Sequence, residues 1–493
     1  MNHWIMVINK YDGIYRKAIN MFSGFFSSHI DYVLPVKFID DIKEDELKEN
    51  DIIVIGEAAF NRVLQQCEKA GLINTPVARE GYSIYVGENL FNPTNQMIAI
   101  SGGDQYGVLY GCADFCNKCY RNVLYKPSTQ VGPDYMWGEH YFENPFNRKL
   151  KNWKHSSVPA IKERALWTWG HVIYDYRKYL DNMAKIKLNE IVIWNDRVPL
   201  NADEVVEYAH SLGIKVIWGF AWGWEPSDIS ERFLQTLDEE TLQKLKASIL
   251  ETYANEYSNA KGDGIYFQSF TELTTDRIGG KCIAELVTDL VNEVSGILLE
   301  HNPELHIQFG LHATSVSTHL DIISRVDNRV HIVWEDCGAF PYSYLTSRIE
   351  DFSETVELTK KLLNLRGDKE KFGAVLKGMI NLDWSNFNHF SDNYILGEKT
   401  ADYIESRSKE KDRIWKIVQA GWIKNADYAR RMIEIIAQKD DAIVQALVED
   451  AAFENRISLP VALYSEMLWN TSVDTNELIE EVSNYPFVEF SNI

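Results

Sequence analysis

Apolar residues in this chain follow two alternating rhythms from about Arg164 onward. Short runs rich in β-branched and aromatic residues, ALWTW, EIVIW, KVIWGF, GIYFQ, HIQFGL, VHIVWE and AVLKGMI, predict strands. Between them apolar side chains recur every three or four positions, as at Tyr176, Leu180 and Met183, at Leu242, Leu245 and Ile249, and at Ile283, Leu286, Leu290, Val294 and Ile297. That spacing predicts helices. Strand and helix alternating in one direction build a parallel sheet, and seven such units predict a closed (β/α)8 TIM-type barrel. The pattern does not place the eighth strand.

The chain before residue 150 has a different texture. DIIVIG, GYSIYVG and QMIAISG predict strands among helical segments. Gly102, Gly103, Gly107 and Gly111 mark a strand, a tight turn and a helix. Proline and aromatic residues between Lys126 and Pro159 suggest a linker. After about Thr400 the pattern is mostly helical, as in IWKIVQAGWIKNADYARRMIEIIAQ. The expected organisation is an N-terminal α/β domain (1–150), a catalytic barrel (151–400) and a C-terminal helical region (401–493).

Charge narrows the partners. The 493 residues carry a net charge of -22, so nucleic acid or an anionic membrane would meet repulsion rather than counterion release. The apolar run near the N-terminus is too short for a signal-peptide core or a membrane span, which leads us to expect a cytoplasmic protein. Self-association is left open. Six cysteines do not make a disulfide scaffold in a chain of this length. Cys112, Cys116 and Cys119 have the CxxxCxxC spacing that can hold an iron–sulfur cluster. With Leu109 they also form one stripe of a helix, and cysteine packs as a small hydrophobe. The helical stripe is the reading we adopt.

In a (β/α)8 barrel the residues just past the strand C-termini line the site. Here those are His171, Asn195, Asp196, Arg197, Trp222, Trp224, Glu225, Gln268, Ser269, Glu272, His312, Glu335, Asp336, Asp383 and Trp384. Carboxylates beside indoles are what glycosidic bond cleavage requires: one acid protonates the leaving oxygen while a second carboxylate acts on the opposite face of the sugar. Glu272 is the candidate acid; the alternative reading has it capping the next helix or pairing with Arg277. Glu335, Asp336 and Asp383 are candidates for the second carboxylate, and alternation would let only one of Glu335 and Asp336 face inward. Arg164, Trp167, Trp169, His171, Asn195, Asp196, Trp222, Gln268, His312 and Trp384 are the candidate sugar ligands. No set of His, Asp and Glu has metal-binding spacing, so neither a metal nor another cofactor is expected.

RALWTW, DYRKYLDNMAKIKLNEIVIWND, GIKVIWGF, GDGIYFQSFTE and SEMLWNTSVDTNELIEEV, in that order, resemble the family 67 glycoside hydrolases, the alpha-glucuronidases. EGYSIYVGENLFN and MIAISGGDQYGVLYG resemble the α/β domain that precedes the barrel there and in family 20 hexosaminidases. The resemblance implies an enzyme acting on an oligosaccharide or glycoside, with Glu272 aligned on the general acid and the base beyond the sixth and seventh strands. Two departures weaken uronate recognition: Gln268 stands where the family has lysine, and Phe309 and Gly310 where it has Trp-Arg. A hexosaminidase would need an aspartate just before the acid, where this chain has Thr271. A non-catalytic carbohydrate-binding protein is a further reading, because a barrel does not guarantee chemistry. A helix-driven assembly component is another.

Overall fold

The computed structural model describes residues 3–124, 145–222, 238–273, 275–312, 315–335, 352–379 and 392–489, the side chain of Glu272 excepted. The N-terminal part is a six-stranded sheet. Its strands are β1 (Trp4–Ile8), β2 (Val36–Phe38), β3 (Asp51–Gly56), β4 (Tyr82–Asn89), β5 (Asn92–Gly102) and β6 (Trp153–Ser157), in the spatial order β2-β1-β3-β5-β4-β6. DIIVIG, GYSIYVG and QMIAISG supply β3, β4 and β5, as their patterns predict. The expected linker differs: it contains β6, which pairs antiparallel with β4, so the sheet runs past residue 150.

The glycine-punctuated segment is the strand, turn and helix that its sequence predicts. It is β5 followed by helix α1 (Gln105–Asn122), whose N-terminus is capped by the Asp104 carboxylate accepting from Gly107 N at 2.7 Å. A Cβ on Gly102 would lie 2.3 Å from Val108 N, and one on Gly107 would lie 2.2 Å from Gly81 O, so neither position has room for a side chain. Leu109, Cys112, Cys116 and Cys119 all face the apolar core beneath this helix. Burial pushes the three thiols well above their ordinary range, which keeps them protonated packing groups.

Eight parallel strands close the barrel: β7 (Glu163–Trp169), β8 (Glu190–Trp194), β9 (Lys215–Ala221), β10 (Gly264–Gln268), β11 (His306–Leu311), β12 (His331–Trp334), β13 (Phe372–Leu376) and β14 (Ile443–Leu447). Seven coincide with the predicted runs. The eighth, β14, lies inside the segment expected to be a separate helical region. It pairs with β13 on one side and β7 on the other, so the barrel continues well beyond residue 400. A 36-residue helix, α2 (Ala401–Ile436), separates β13 from β14, and α3 (Leu459–Trp469) follows β14. The pattern of β14 is hard to see because Gln445 interrupts a short apolar run. Inside the barrel its amide nitrogen donates to Gln308 Oε1 at 2.6 Å, while Gln308 donates to Glu190 Oε1 at 2.9 Å. Burial, reinforced by the neighbouring Glu163 carboxylate, raises Glu190 to about 7.

Buried ion pairs join the N-terminal sheet to the N-terminal end of the barrel. Lys187, just before β8, reaches both Asp114 on α1 and Glu466 on α3 at 2.7 Å, and Lys118 lies 3.3 Å from Asp114 and 3.5 Å from Glu466. Burial would push both carboxyls up, but Lys118 and then Lys187 outweigh it and hold them below their usual range.

Candidate active site

Strand parity decides which side chains enter the barrel. Trp167, Val192, Tyr266, Val333, Val375 and Leu447 pack together in its interior, whereas Leu166, Ile193, Phe267, Trp334, Leu376 and Val448 pack outward beneath the helices. One further alternation toward the strand C-termini brings Gln268, Glu335, Lys377 and Glu449 to the inner side of the rim. Of the adjacent pair, Glu335 faces inward and is buried, 3% exposed.

Glu335 is engaged on both of its carboxylate oxygens. Its Oε1 accepts hydrogen bonds from the Tyr266 hydroxyl and from Gln268 Nε2. Its Oε2 lies 3.4 Å from Lys377 Nζ and 3.8 Å from His312 Nε2. Burial alone would raise this carboxyl. Lys377 first, then His312 and the two hydrogen bonds, outweigh it and hold the group below the ordinary glutamate value, so Glu335 is a carboxylate at neutral pH. Gly310 makes the arrangement possible. A Cβ there would sit 2.4 Å from the Tyr266 hydroxyl oxygen and 2.7 Å from Glu335 Oε1.

An aromatic wall stands beside the carboxylate. Trp167 meets Trp169 edge-on at 4.7 Å between centroids, stacks on Trp194 at 5.7 Å and meets Tyr266 edge-on at 5.8 Å. Asn195 braces the rim next to it, accepting from the Tyr394 hydroxyl and donating to Ile193 O at 3.0 Å. The segment after β10 forms a short 3₁₀ turn, Phe270–Glu272. Thr271 pins this turn to the end of β11: its Oγ1 accepts from His312 N at 3.1 Å and its carbonyl accepts from the Ser315 hydroxyl at 2.5 Å. Glu272 is therefore the last residue of a turn fastened next to His312.

The structure thus brings Gln268, His312 and Glu335 together and sets Trp167, Trp169 and Asn195 close by. His171 lies half-buried in the turn after β7, and Asp196 is exposed beside Arg197, whose guanidinium is 2.6 Å from Glu256. Two expected sugar ligands are corrected. Arg164 lies at the opposite, N-terminal end of β7 and is fully buried against Glu80, 2.7 Å away. Trp222 is also fully buried, stacked 3.7 Å from Phe267, an outward-facing residue of β10. Trp218 and Trp334 likewise pack outside the barrel, because each sits one position from an inward-facing residue. Asp336, Asp383, Trp384, Trp224, Glu225 and the Glu272 side chain lie outside the described residues. Among the described residues no group of three or more His, Cys, Asp or Glu is placed to hold a metal ion, and no helix is long and apolar enough to cross a membrane.

Three rim residues escaped the sequence reading. Lys377 and Tyr266 sit within the apolar runs AVLKGMI and GIYFQ, and counting alternate positions back from the strand ends would have found both. Glu449 was hidden because β14 was not placed.

No family model matches the chain, and no curated protein matches it in sequence. Among solved structures, a GH20 beta-N-acetylhexosaminidase from Streptomyces coelicolor is similar in chain path with 11% identity and a TM-score of 0.44, over 89% of this chain and 91% of that one. An O-GlcNAc hydrolase mutant from Thermobaculum terrenum shares 12% identity at a TM-score of 0.39, over 66% of this chain and 63% of that one. A glycoside hydrolase family 5 enzyme from Prevotella bryantii shares 11% identity at 0.37, over 63% and 97%. Likenesses of this size say nothing about activity or substrate.

Proposed function

We propose that this protein is a glycoside hydrolase in which Glu272 protonates the leaving oxygen and Glu335 is the second carboxylate, taking the proton of the attacking water. The observation that carries the reading is Glu335 itself: a glutamate buried at the C-terminal rim of a closed barrel, facing Lys377 and lying beside a wall of indoles. A carboxylate kept charged in such surroundings suits a base, and an indole wall suits the apolar face of a sugar ring. Within the class we favour an alpha-glucuronidase-like activity, on the order of the sequence motifs. A hexosaminidase-like, substrate-assisted reaction is less well supported. Thr271, at the position of the orienting aspartate, is buried and its Oγ1 and carbonyl are engaged by His312 and Ser315.

A panel of aryl glycosides with and without a uronate or acetamido group tests the class and ranks the two substrates. On the substrate cleaved fastest, Glu272→Gln is expected to lose about 10²–10⁴-fold in turnover with poor leaving groups. It should lose far less with a nitrophenolate, which departs without a proton. Equal losses on both would remove Glu272 from the acid role, and sugar binding without any turnover would favour a carbohydrate-binding protein.

Gly310→Ala is expected to leave the far-ultraviolet circular dichroism unchanged. The added methyl must displace the Tyr266 hydroxyl or Glu335, and misplacing a reacting group by an ångström costs about 10²-fold. Undiminished hydrolysis by this variant would show that the Tyr266–Glu335 contact does not matter to the reaction.

A further inference from the structure

The two oxygens of Glu335 are held differently, and the difference assigns them different tasks. Oε1 accepts two hydrogen bonds from side chains of a single strand, β10. A carboxylate oxygen with two donors has its in-plane lone pairs taken. Among the described residues Oε2 faces Lys377 Nζ at 3.4 Å and His312 Nε2 at 3.8 Å. Both stand outside the usual range of roughly 2.7–3.2 Å for a nitrogen donor, so Oε2 keeps a lone pair to give.

Lys377 is placed by the backbone. It is the first residue after β13, and Gly378 follows it at φ 83°, a left-handed turn that suits glycine. The Gly378 carbonyl is then fastened by Trp422 Nε1 of α2 at 3.1 Å. The ammonium group therefore comes from an anchored strand exit.

We propose that Lys377 is the positioning residue of this site: it holds the Glu335 carboxylate with Oε2 left free to take a proton, and Oε2 is the oxygen that reacts. The reaction itself rests on the glycosidase reading above, whereas the arrangement of charge does not. Oε2 takes a proton from water as the water oxygen bonds to the anomeric carbon. The bond from that carbon to the leaving oxygen breaks, and the leaving oxygen keeps its electron pair and takes the proton of Glu272. The groups facing Glu335 among the described residues are Lys377, His312, Tyr266 and Gln268, and Lys377 contributes the largest favourable interaction. Losing it leaves burial opposed by His312 and the two hydrogen bonds alone.

The test compares Lys377→Met with Lys377→Arg. The Glu335 carboxylate is titrated in each by difference infrared spectroscopy, with Glu335→Gln as the spectral reference, and the pH profiles of kcat and kcat/KM are measured on the best aryl glycoside. In Lys377→Met the carboxylate titration and the acidic limb of the profile are expected to rise together by about one pH unit or more. kcat should fall by about tenfold or more with KM little changed, and Lys377→Arg should restore the limb. If Lys377→Met does not fold, Lys377→Gln carries the same measurements. An unmoved titration would overturn the proposal. So would a raised KM with kcat and the limb intact, which would make Lys377 a substrate ligand. If the wild type cleaves no glycoside in the panel, the functional reading falls, and the infrared titration still decides the role of Lys377.

Discussion

Glu335→Gln is expected to lower hydrolysis of the best aryl glycoside by about 10²–10⁴-fold, the range of a positioned general base. Glutamine keeps the volume and can still accept from Tyr266, so the barrel rim should survive in shape. What disappears is the negative charge and the basic lone pair. The variant also leaves Lys377 facing a neutral amide, and an uncompensated buried charge is costly, so the melting temperature should fall as well. Activity must therefore be measured well below the variant's own melting transition. The pH dependence of the wild type has a definite sign. A free glutamate titrates near ~4.3, and the net effect of Lys377, His312, Tyr266 and Gln268 against burial is to lower that value. The ionised base therefore persists as the pH falls through the ordinary carboxylate range, and activity on the acidic side is lost only below it. The stability that the ionised group contributes follows the same course, present above the unfolded value and lost as the pH drops through the folded one. A variant that keeps more than a tenth of wild-type turnover would take Glu335 out of the chemistry.

The largest loss of stability is expected from Arg164→Met. Arg164 donates through Nη2 to Glu80 at 2.7 Å, through Nε to Lys187 O at 2.9 Å, and through Nη1 to Ile161 O and Lys162 O at 3.0 Å each. It is completely buried. Methionine fills most of the space but removes the donor to Glu80 Oε2 and to the Lys187 and Ile161 carbonyls, leaving Glu80 with Asn189 and the more distant Arg79. Removing one partner of a buried pair costs about 3–5 kcal/mol. Thermal and urea unfolding should both register a loss of that size. Glu80→Gln added to Arg164→Met should recover part of it, because the stranded charge is then gone. KM for the glycoside should not move at temperatures where the variant is folded. A raised KM with unchanged stability would instead return Arg164 to the sugar-binding role that its place beside ALWTW suggests.

The contrast between these two residues shows how far sequence reading reaches. Glu335 follows an apolar run whose alternation marks it as a candidate inward-facing acid, so its role is encoded within a few positions. Arg164 precedes an equally clear run, but nothing nearby reveals that it lies at the closed end of the barrel. Its counter-charge, Glu80, is 84 positions away. Gly310 reads in sequence only as a departure from the alpha-glucuronidase resemblance. In the structure it is the space that Tyr266 and Glu335 need.

By itself the sequence determined the seven regular strand–helix units, the strand–glycine–helix element before them, and the carboxylates and indoles at strand ends. These depend on local periodicity, which backbone geometry imposes over a few residues. Only the tertiary structure decided the eighth strand, because Gln445 becomes a tolerable strand residue when Gln308 meets it across the barrel interior. Closure likewise separated Trp167, Trp169 and Trp194, which face inward, from Trp218, Trp222 and Trp334, which pack under helices. It also brought Lys377, His312, Tyr266 and Gln268 from three different strands onto one carboxylate. The charge state of a buried acid is the sum of such long-range neighbours against its desolvation, and no stretch of the chain contains that sum.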